Sequence, residues 1–189
     1  MSDTTVRRIA GPTILLQSGS YFDFLAPEQS QFTIDDIAHG LSMVCRFAGQ
    51  CSEFYSVAQH SVLVSEIVPP EDAFAGLMHD AAEAFIGDVS KPLKTMLPEY
   101  AVIERRIEAA VLGRFGLSLP LPSTVKEADI VMLATEQRQL MRNTDDWEWT
   151  RGREPLAKHI HPWPPRLARN LFMARFRLLG GAAMQERQL

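Results

Sequence analysis

Ionisable side chains that could bind a metal ion lie inside stretches of the sequence that are otherwise apolar. His79 and Asp80 follow the apolar run 74–78, and Glu83 comes three residues after Asp80. Residues three and four apart share one face of a helix, so these three groups would point into one sector. Burying them is costly unless a metal ion or other partners compensate. The alternative is a hydrogen-bonded core histidine with an aspartate beside it by chance.

Two further segments each carry one residue of this kind. His60 lies in the middle of the apolar run 57–64, and Asp129 lies at the start of the apolar run 130–133. With His79 and Asp80 they supply two imidazoles and two carboxylates on three successive predicted helices. Such groups suit one divalent ion, for which Mn, Fe, Co, Zn and Mg are candidates. Four protein ligands on an octahedral ion leave positions for water and substrate, as hydrolysis requires.

The elements that would position these residues are predicted to be helices. Thr33 and Asp36 form a capping-box pattern for a first helix, which is expected to end near Ala48 and Gly49. Caps, prolines and glycines then delimit further helices over residues 56–68, 71–86, 98–115, 123–142 and 166–179. Near the N-terminus, residues 14–16 and 21–24 flank a Gly-containing turn and predict a small β-hairpin. Residues 143–155 have no clean period and indicate a loop.

The predicted fold class is therefore all-α, a bundle of about six helices with a small N-terminal β-hairpin. A chain of 189 residues fits one domain around a single core. We expect the hairpin appendage in residues 1–30, the core with the metal site in 31–142, and a loop with a C-terminal helix in 143–189.

Composition and charge limit the partners. Hydrophobic residues make up 46% of the chain and charged residues 22%, which is typical of a globular protein. The net charge is −4 without an obvious basic face, so we expect no long nucleic acid as a partner. Cys45 and Cys51 are too few for a disulfide framework. Because the sequence shows no signal-peptide pattern and no apolar run of about 20 residues, it predicts a cytoplasmic protein without a membrane partner.

The order of the candidate ligands, His then His-Asp then Asp, resembles that of the HD-domain phosphohydrolase superfamily. Residues 79–94 resemble the HD-x-x-E-x-x-x-G-D-x-x-x-P-x-K stretch of the bacterial 5′-deoxynucleotidases. Residues 46–47 with 56–60 resemble their R-W…(N/S)-V-(S/A)-(E/Q)-H, and residues 126–129 resemble their K-x-A-D. Residues 21–24, 34–39 and 45–47 are more similar to small HD hydrolases of phages and bacteria, which include phage dATP triphosphohydrolases. The resemblance extends over residues 22–135.

This resemblance implies an HD-domain helical bundle, one divalent metal ion and a small nucleotide substrate. The implied metal ligands are His60, His79, Asp80 and Asp129. The implied catalytic residues are Glu83, as general acid or base, and Asp88, which would orient the attacking water or a sugar hydroxyl. The implied substrate-binding residues are Arg46, Phe47 and Lys94. Phe47 stands where the deoxynucleotidases have Trp, so a preference for deoxyribose is left open.

Several functions remain open within this interpretation. A 5′-nucleotidase would release phosphate, whereas a triphosphohydrolase would cleave at the α-phosphate; Arg46, Lys91 and Lys94 would serve either. Guanosine-alarmone hydrolases resemble H-D-x-x-E-D, and Ala84 departs from that pattern. The non-enzymatic alternative is an HD domain that binds metal or nucleotide as a sensor, although such domains would be expected to lose a ligand or the acid.

Two further expectations concern the surroundings of the site. Trp147 and Trp149 could form a platform for a nucleobase, or they could pack a loop. The resemblance also implies self-association, so we expect a homo-oligomer, either a dimer or larger.

Overall fold

The structure is a computed structural model that describes residues 9–141, 143 and 145–181. Two short strands, β1 (Thr13–Leu15) and β2 (Tyr21–Asp23), pair antiparallel, with Ile14 opposite Phe22. The α-helices that follow are α1 (Ile34–Met43), α2 (Val57–Ile67), α3 (Ala73–Met78), α4 (Glu83–Ile86), α5 (Lys91–Lys94), α6 (Pro98–Arg114), α7 (Ser123–Leu140) and α8 (Pro165–Leu178). Six of these helices in the described part have six residues or more, and α4 and α5 are single turns. The predicted class, all-α with a small hairpin, is confirmed.

Helix α2 is the central element of the bundle. Ser56 caps it by accepting a hydrogen bond from the backbone N–H of Gln59, and every residue from 57 to 65 is buried. Helices α1, α3, α7 and α8 all pack against it. A polar side chain in the middle of α2 therefore has to find its partners inside the protein, and His60 is 0% exposed.

The hairpin and the C-terminal helix both belong to the core. Phe22 of β2 is fully buried and stacks on Phe85 of α4, with ring centroids 4.1 Å apart. Helix α8 inserts Ala168, Phe172, Met173 and Phe176 into the same apolar cluster. The hairpin predicted as an appendage thus packs directly against the helix that carries Glu83.

Helix α1 ends earlier than the sequence predicts. Its capping box forms, since Thr33 and Asp36 each bond to the other's backbone N–H. The chain leaves the helix after Met43 because Arg46 N–H donates to the Tyr55 carbonyl, next to a bridge between residues 45 and 56. Phe47 and its successor then adopt left-handed backbone angles, with φ of 56° at Phe47. Non-glycine residues rarely take this conformation because it is strained. Strained backbone of this kind is often found at functional sites.

The helix predicted over residues 71–86 is also interrupted. Helix α3 ends at Met78, residues 79–82 form turns, and α4 begins at Glu83. Backbone hydrogen bonds here span three residues instead of four, from Ala81 N–H to the Met78 carbonyl and from Glu83 N–H to the Asp80 carbonyl, both 2.9 Å. His79 and Asp80 therefore project from a tight turn between two helices.

The remaining helix ends agree closely with the prediction. Helices α2, α6 and α8 begin and end within one residue of their predicted bounds. Helix α7 begins at Ser123 as predicted and ends at Leu140, and Arg142, where it was predicted to end, lies outside the described residues. None of the described helices is long and apolar enough to span a membrane.

Candidate metal centre

Three separate elements bring the predicted metal ligands together. His60 comes from α2, His79 from the turn after α3 and Asp129 from α7; one donor atom of each lies within 4.8 Å of the others. Asp80 Oδ2 lies 3.2 Å from His79 Nε2 and 3.6 Å from His60 Nε2. Asp129 Oδ1 is 3.4 Å from His60 Nε2, while its Oδ2 accepts a hydrogen bond from Lys126. The four side chains therefore meet around the Nε2 atom of His60.

Both imidazoles are oriented by hydrogen bonds at Nδ1. His79 Nδ1 donates to the Gly76 carbonyl at 2.8 Å, and His60 Nδ1 donates to Glu136 Oε1 at 2.6 Å. These partners can only accept, so Nδ1 carries a proton in each ring and Nε2 is the atom that can bind a cation. Both Nε2 atoms are buried and form no hydrogen bond to any described residue. Two imidazole nitrogens beside two carboxylates form a donor set that fits a divalent cation.

The charges of the cluster are strongly coupled. Burial and Arg46 lower the pKa of His60, but Glu136 and Asp129 outweigh them and raise it to about 9. Burial alone would raise the pKa values of Asp80 and Asp129, but the neighbouring imidazoles hold both below their ordinary range. The carboxylates around Nε2 that favour a second proton on His60 would also favour a cation there. A cation would replace that proton, as is usual when metal binds to histidine.

Glu83 lies beside the cluster and is only 8% exposed. Burial raises its pKa well above the ordinary value, and the charges of Asp80 and Asp88 raise it further. Burial also raises the pKa of the half-buried Asp88, with Arg46 acting in the opposite direction. Such an environment keeps a carboxyl group protonated at a pH where an exposed one is ionised. Glu83 is therefore able to hold and transfer a proton next to the ligands.

Arg46 and Lys94, both predicted to bind phosphate, are held by protein carboxylates. Arg46 Nε donates to Glu136 Oε2 at 3.1 Å, and its Nη1 lies 3.6 Å from Asp80 Oδ2. Lys94 Nζ lies 2.5 Å from Glu104 Oε1 and 3.9 Å from Glu83 Oε1. Both cations border the cluster, but a substrate phosphate would have to share them with these carboxylates.

The aromatic residues near the site form two contacts. Phe47 lies against the Arg46 guanidinium, and its ring centroid is 6.2 Å from that of Trp147. Lys91 Nζ lies 4.6 Å from the ring centre of Trp149. The segment predicted as a loop thus contacts both segments that carry predicted substrate residues. A short 3₁₀ turn, Glu148–Thr150, shapes it.

Two residues at the centre were not found by sequence reasoning. Glu136 of α7 and Tyr55 are both 0% exposed, and the Tyr55 hydroxyl donates to Glu136 Oε1 at 2.8 Å. Glu136 follows Asp129 by seven residues, a spacing that puts both on one face of a helix. That spacing was the available signal.

The fold and the cluster define a mostly helical protein with a partly buried centre of two histidines and two aspartates. The chain is 44% identical over 163 residues to protein YfdR of Escherichia coli (strain K12), a match that covers 84% of this chain and 90% of that protein. It is 38% identical over 137 residues to RCAP_rcc00048 of Rhodobacter capsulatus, covering 65% of this chain and 70% of that protein. The chain belongs to the family of these two proteins, each of which is described as uncharacterized. No protein-family model matches the chain.

Proposed function

We propose that the chain is a metal-dependent phosphohydrolase of the HD-domain type that acts on small nucleotides. The main support is the convergence of the Nε2 atoms of His60 and His79 with the carboxylates of Asp80 and Asp129. A buried carboxyl group, Glu83, lies next to them. The substrate class rests on the sequence motifs that resemble nucleotide-hydrolysing HD enzymes.

One divalent cation (Co, Mn, Zn, Fe or Mg) would be held by these four ligands. When bound, such an ion lowers the pKa of water and offsets phosphate charge. Glu83 holds its proton through burial and can give it to the leaving oxygen of the scissile P–O bond. The charges of Arg46 and Asp80 influence the pKa of Asp88, which places this residue near the ligands. We assign to Asp88 the orientation of water or of a sugar hydroxyl.

The substrate would be bound by cationic side chains and by aromatic rings. Arg46 Nη1 and Lys94 Nζ are the positive groups nearest to Asp80 and Glu83, and we assign them to phosphate oxygens. Lys91 would extend this charge toward a longer phosphate chain. The Phe47 ring lies next to Arg46, the Trp147 ring lies 6.2 Å from the Phe47 ring, and both rings would contact the sugar or base.

Replacing Trp147 by Ala is expected to raise the KM for the preferred nucleotide by about 5- to 150-fold, since stacking contributes roughly 1–3 kcal/mol per base. The KM for p-nitrophenyl phosphate, which has no nucleobase, should change far less in the same variant. Steady-state kinetics on both substrates make the comparison. Equal effects on the two substrates would show that Trp147 only packs the loop.

The function is tested by screening the purified protein against deoxy- and ribonucleoside mono-, di- and triphosphates with Co²⁺, Mn²⁺ or Mg²⁺. Nucleoside and phosphate from monophosphates would establish a 5′-nucleotidase, and nucleoside with tripolyphosphate a triphosphohydrolase. Pyrophosphate released from a guanosine alarmone would instead identify a signalling-nucleotide hydrolase. Bound metal without turnover of any of these compounds would refute the proposal and favour a sensor domain.

We also propose that the protein is a cytoplasmic homo-oligomer, a dimer or larger. Its two cysteines are free, which fits a reducing compartment. Several apolar side chains are exposed around α5 and the start of α6, namely Leu93, Met96, Leu97, Val102 and Ile103. Several exposed apolar side chains within one short segment are what an association surface would offer. Light scattering after size exclusion should give a multiple of the 21.2 kDa chain mass, and a monomer at micromolar concentration would contradict this.

A further inference from the structure

Glu136 is a fully buried carboxylate that accepts hydrogen bonds from three different segments of the chain. Its Oε1 accepts from His60 Nδ1 at 2.6 Å and from the Tyr55 hydroxyl at 2.8 Å. Its Oε2 accepts from Arg46 Nε at 3.1 Å, and Arg46 Nη2 lies 3.1 Å from the same oxygen. These donors fix the carboxylate in one position, with one oxygen committed to His60.

We propose that Glu136 is a positioning residue that makes His60 Nε2 the metal-binding atom. A carboxylate cannot donate a hydrogen bond, so it selects the His60 tautomer with the proton on Nδ1. The lone pair is then on Nε2, which lies 3.4 Å from Asp129 Oδ1 and 3.6 Å from Asp80 Oδ2. Carboxylates in this position orient metal-binding histidines and increase their basicity. The inference rests on the proposed function only in taking the cation to be the one that serves hydrolysis.

Arg46 connects Glu136 to a second metal ligand, Asp80. Its guanidinium neutralises Glu136 within the core and also reaches Asp80 Oδ2 at 3.6 Å. Pairing of this kind offsets the cost of burying the carboxylate. The competing explanation is that Glu136 exists only to neutralise Arg46, in which case its bond to His60 would not affect metal binding.

The variant Glu136→Gln separates these explanations because the amide keeps the size and loses one acceptor. If the Gln oxygen faces His60, the Gln NH₂ group faces the N–H donors of Arg46, and two donors oppose each other. If the amide is reversed, its NH₂ group faces His60 Nδ1 and favours the tautomer with the proton on Nε2. We expect the dissociation constant for Zn²⁺, measured by competition with a chromophoric chelator and without substrate, to rise about 10- to 100-fold.

Two variants serve as controls in the same titration. Glu127→Gln removes an exposed carboxylate from the same helix and should leave the dissociation constant for Zn²⁺ within about twofold, because exposed charges are screened by salt. Tyr55→Phe removes one donor to Glu136 but leaves the bond to His60, so it should have a smaller effect than Glu136→Gln. Unchanged affinity in Glu136→Gln would overturn the inference.

A measurement on the unmodified protein covers the case in which Glu136→Gln does not fold. In ¹⁵N-histidine-labelled protein loaded with Zn²⁺, we expect His60 to show a protonated Nδ1, with a proton shifted far downfield by the short bond, and a coordinated Nε2. Coordination through Nδ1 would overturn the inference. If Zn²⁺ binds as expected but no nucleotide is hydrolysed, the proposed function fails and the inference stands. If hydrolysis occurs while Glu136→Gln binds Zn²⁺ normally, the proposed function stands and the inference fails.

Discussion

Replacing Asp80 by Ala is expected to abolish turnover and to reduce metal content to well below one ion per chain. Asp80 Oδ2 lies within 3.6 Å of the Nε2 atoms of both His60 and His79, so its loss removes a negative charge from the middle of the donor set. It also removes the carboxylate that faces Arg46 Nη1. Because outer partners of metal ligands already contribute 10- to 100-fold, we expect the loss of a ligand to lower metal affinity by more than about 100-fold.

Metal content after dialysis and the rate of phosphate release measure this effect together. The matched control is Asp35→Ala on α1, an exposed aspartate paired with Arg169, which should retain metal and rate. If Asp80→Ala keeps both its metal and its rate, Asp80 is not a ligand and the assignment of the centre is wrong.

Replacing Glu83 by Gln is expected to lower kcat strongly but to leave the metal in place. Gln occupies the same space in the buried site but cannot exchange a proton, and general acid–base catalysis contributes about 10²- to 10⁴-fold. Burial raises the pKa of Glu83 well above its ordinary value, so the native carboxyl group is protonated at a pH where an exposed one is ionised. We therefore expect kcat to fall by this factor with metal content unchanged.

The leaving group distinguishes an acid from a base in that experiment. An ester with a good leaving group, such as p-nitrophenyl phosphate, needs less protonation, so Glu83→Gln should impair its hydrolysis less than that of a nucleotide. Glu99→Gln, an exposed position at the start of α6, serves as the control and should behave as the unmodified protein. Full activity of Glu83→Gln on nucleotides would remove Glu83 from the mechanism.

Much of this fold could be predicted from the sequence because its signals are local. Ser56 caps α2 as its residue type predicts, and the capping box at Thr33 forms. The ligands stood out for a physical reason: His60 interrupts an apolar run and Asp129 begins one, and an unpaired polar group in such a place would be costly. The structure brings them close to His79 and Asp80.

The remaining features depend on contacts between residues distant in sequence. The apolar period continues past Met43, yet α1 ends there because Tyr55 accepts the hydrogen bond of Arg46 N–H. The break at residues 79–82 was likewise missed, since the helical pattern runs through it without Gly or Pro. Local propensity cannot show such effects, which tertiary contacts impose.

Glu136 shows why the residues that hydrogen-bond to the metal ligands could not be predicted from the sequence. Its neighbours Thr135 and Gln137 are polar, so the segment resembles the exposed side of a helix. Its partners Tyr55 and Arg46 lie 81 and 90 residues away in the sequence. Only the folded chain shows that this carboxylate lies behind His60.

The most direct test of the metal centre and its chemistry is to restore activity to metal-free protein by titration. The protein would be stripped with a chelator, returned to chelator-free buffer and supplied with Mn²⁺ while hydrolysis of its best nucleotide is followed. We predict no turnover without metal, and a rate that increases with added Mn²⁺ and levels off at one ion per chain. Full turnover by the stripped protein, or failure to bind any ion, would contradict a hydrolytic metal centre at His60, His79, Asp80 and Asp129.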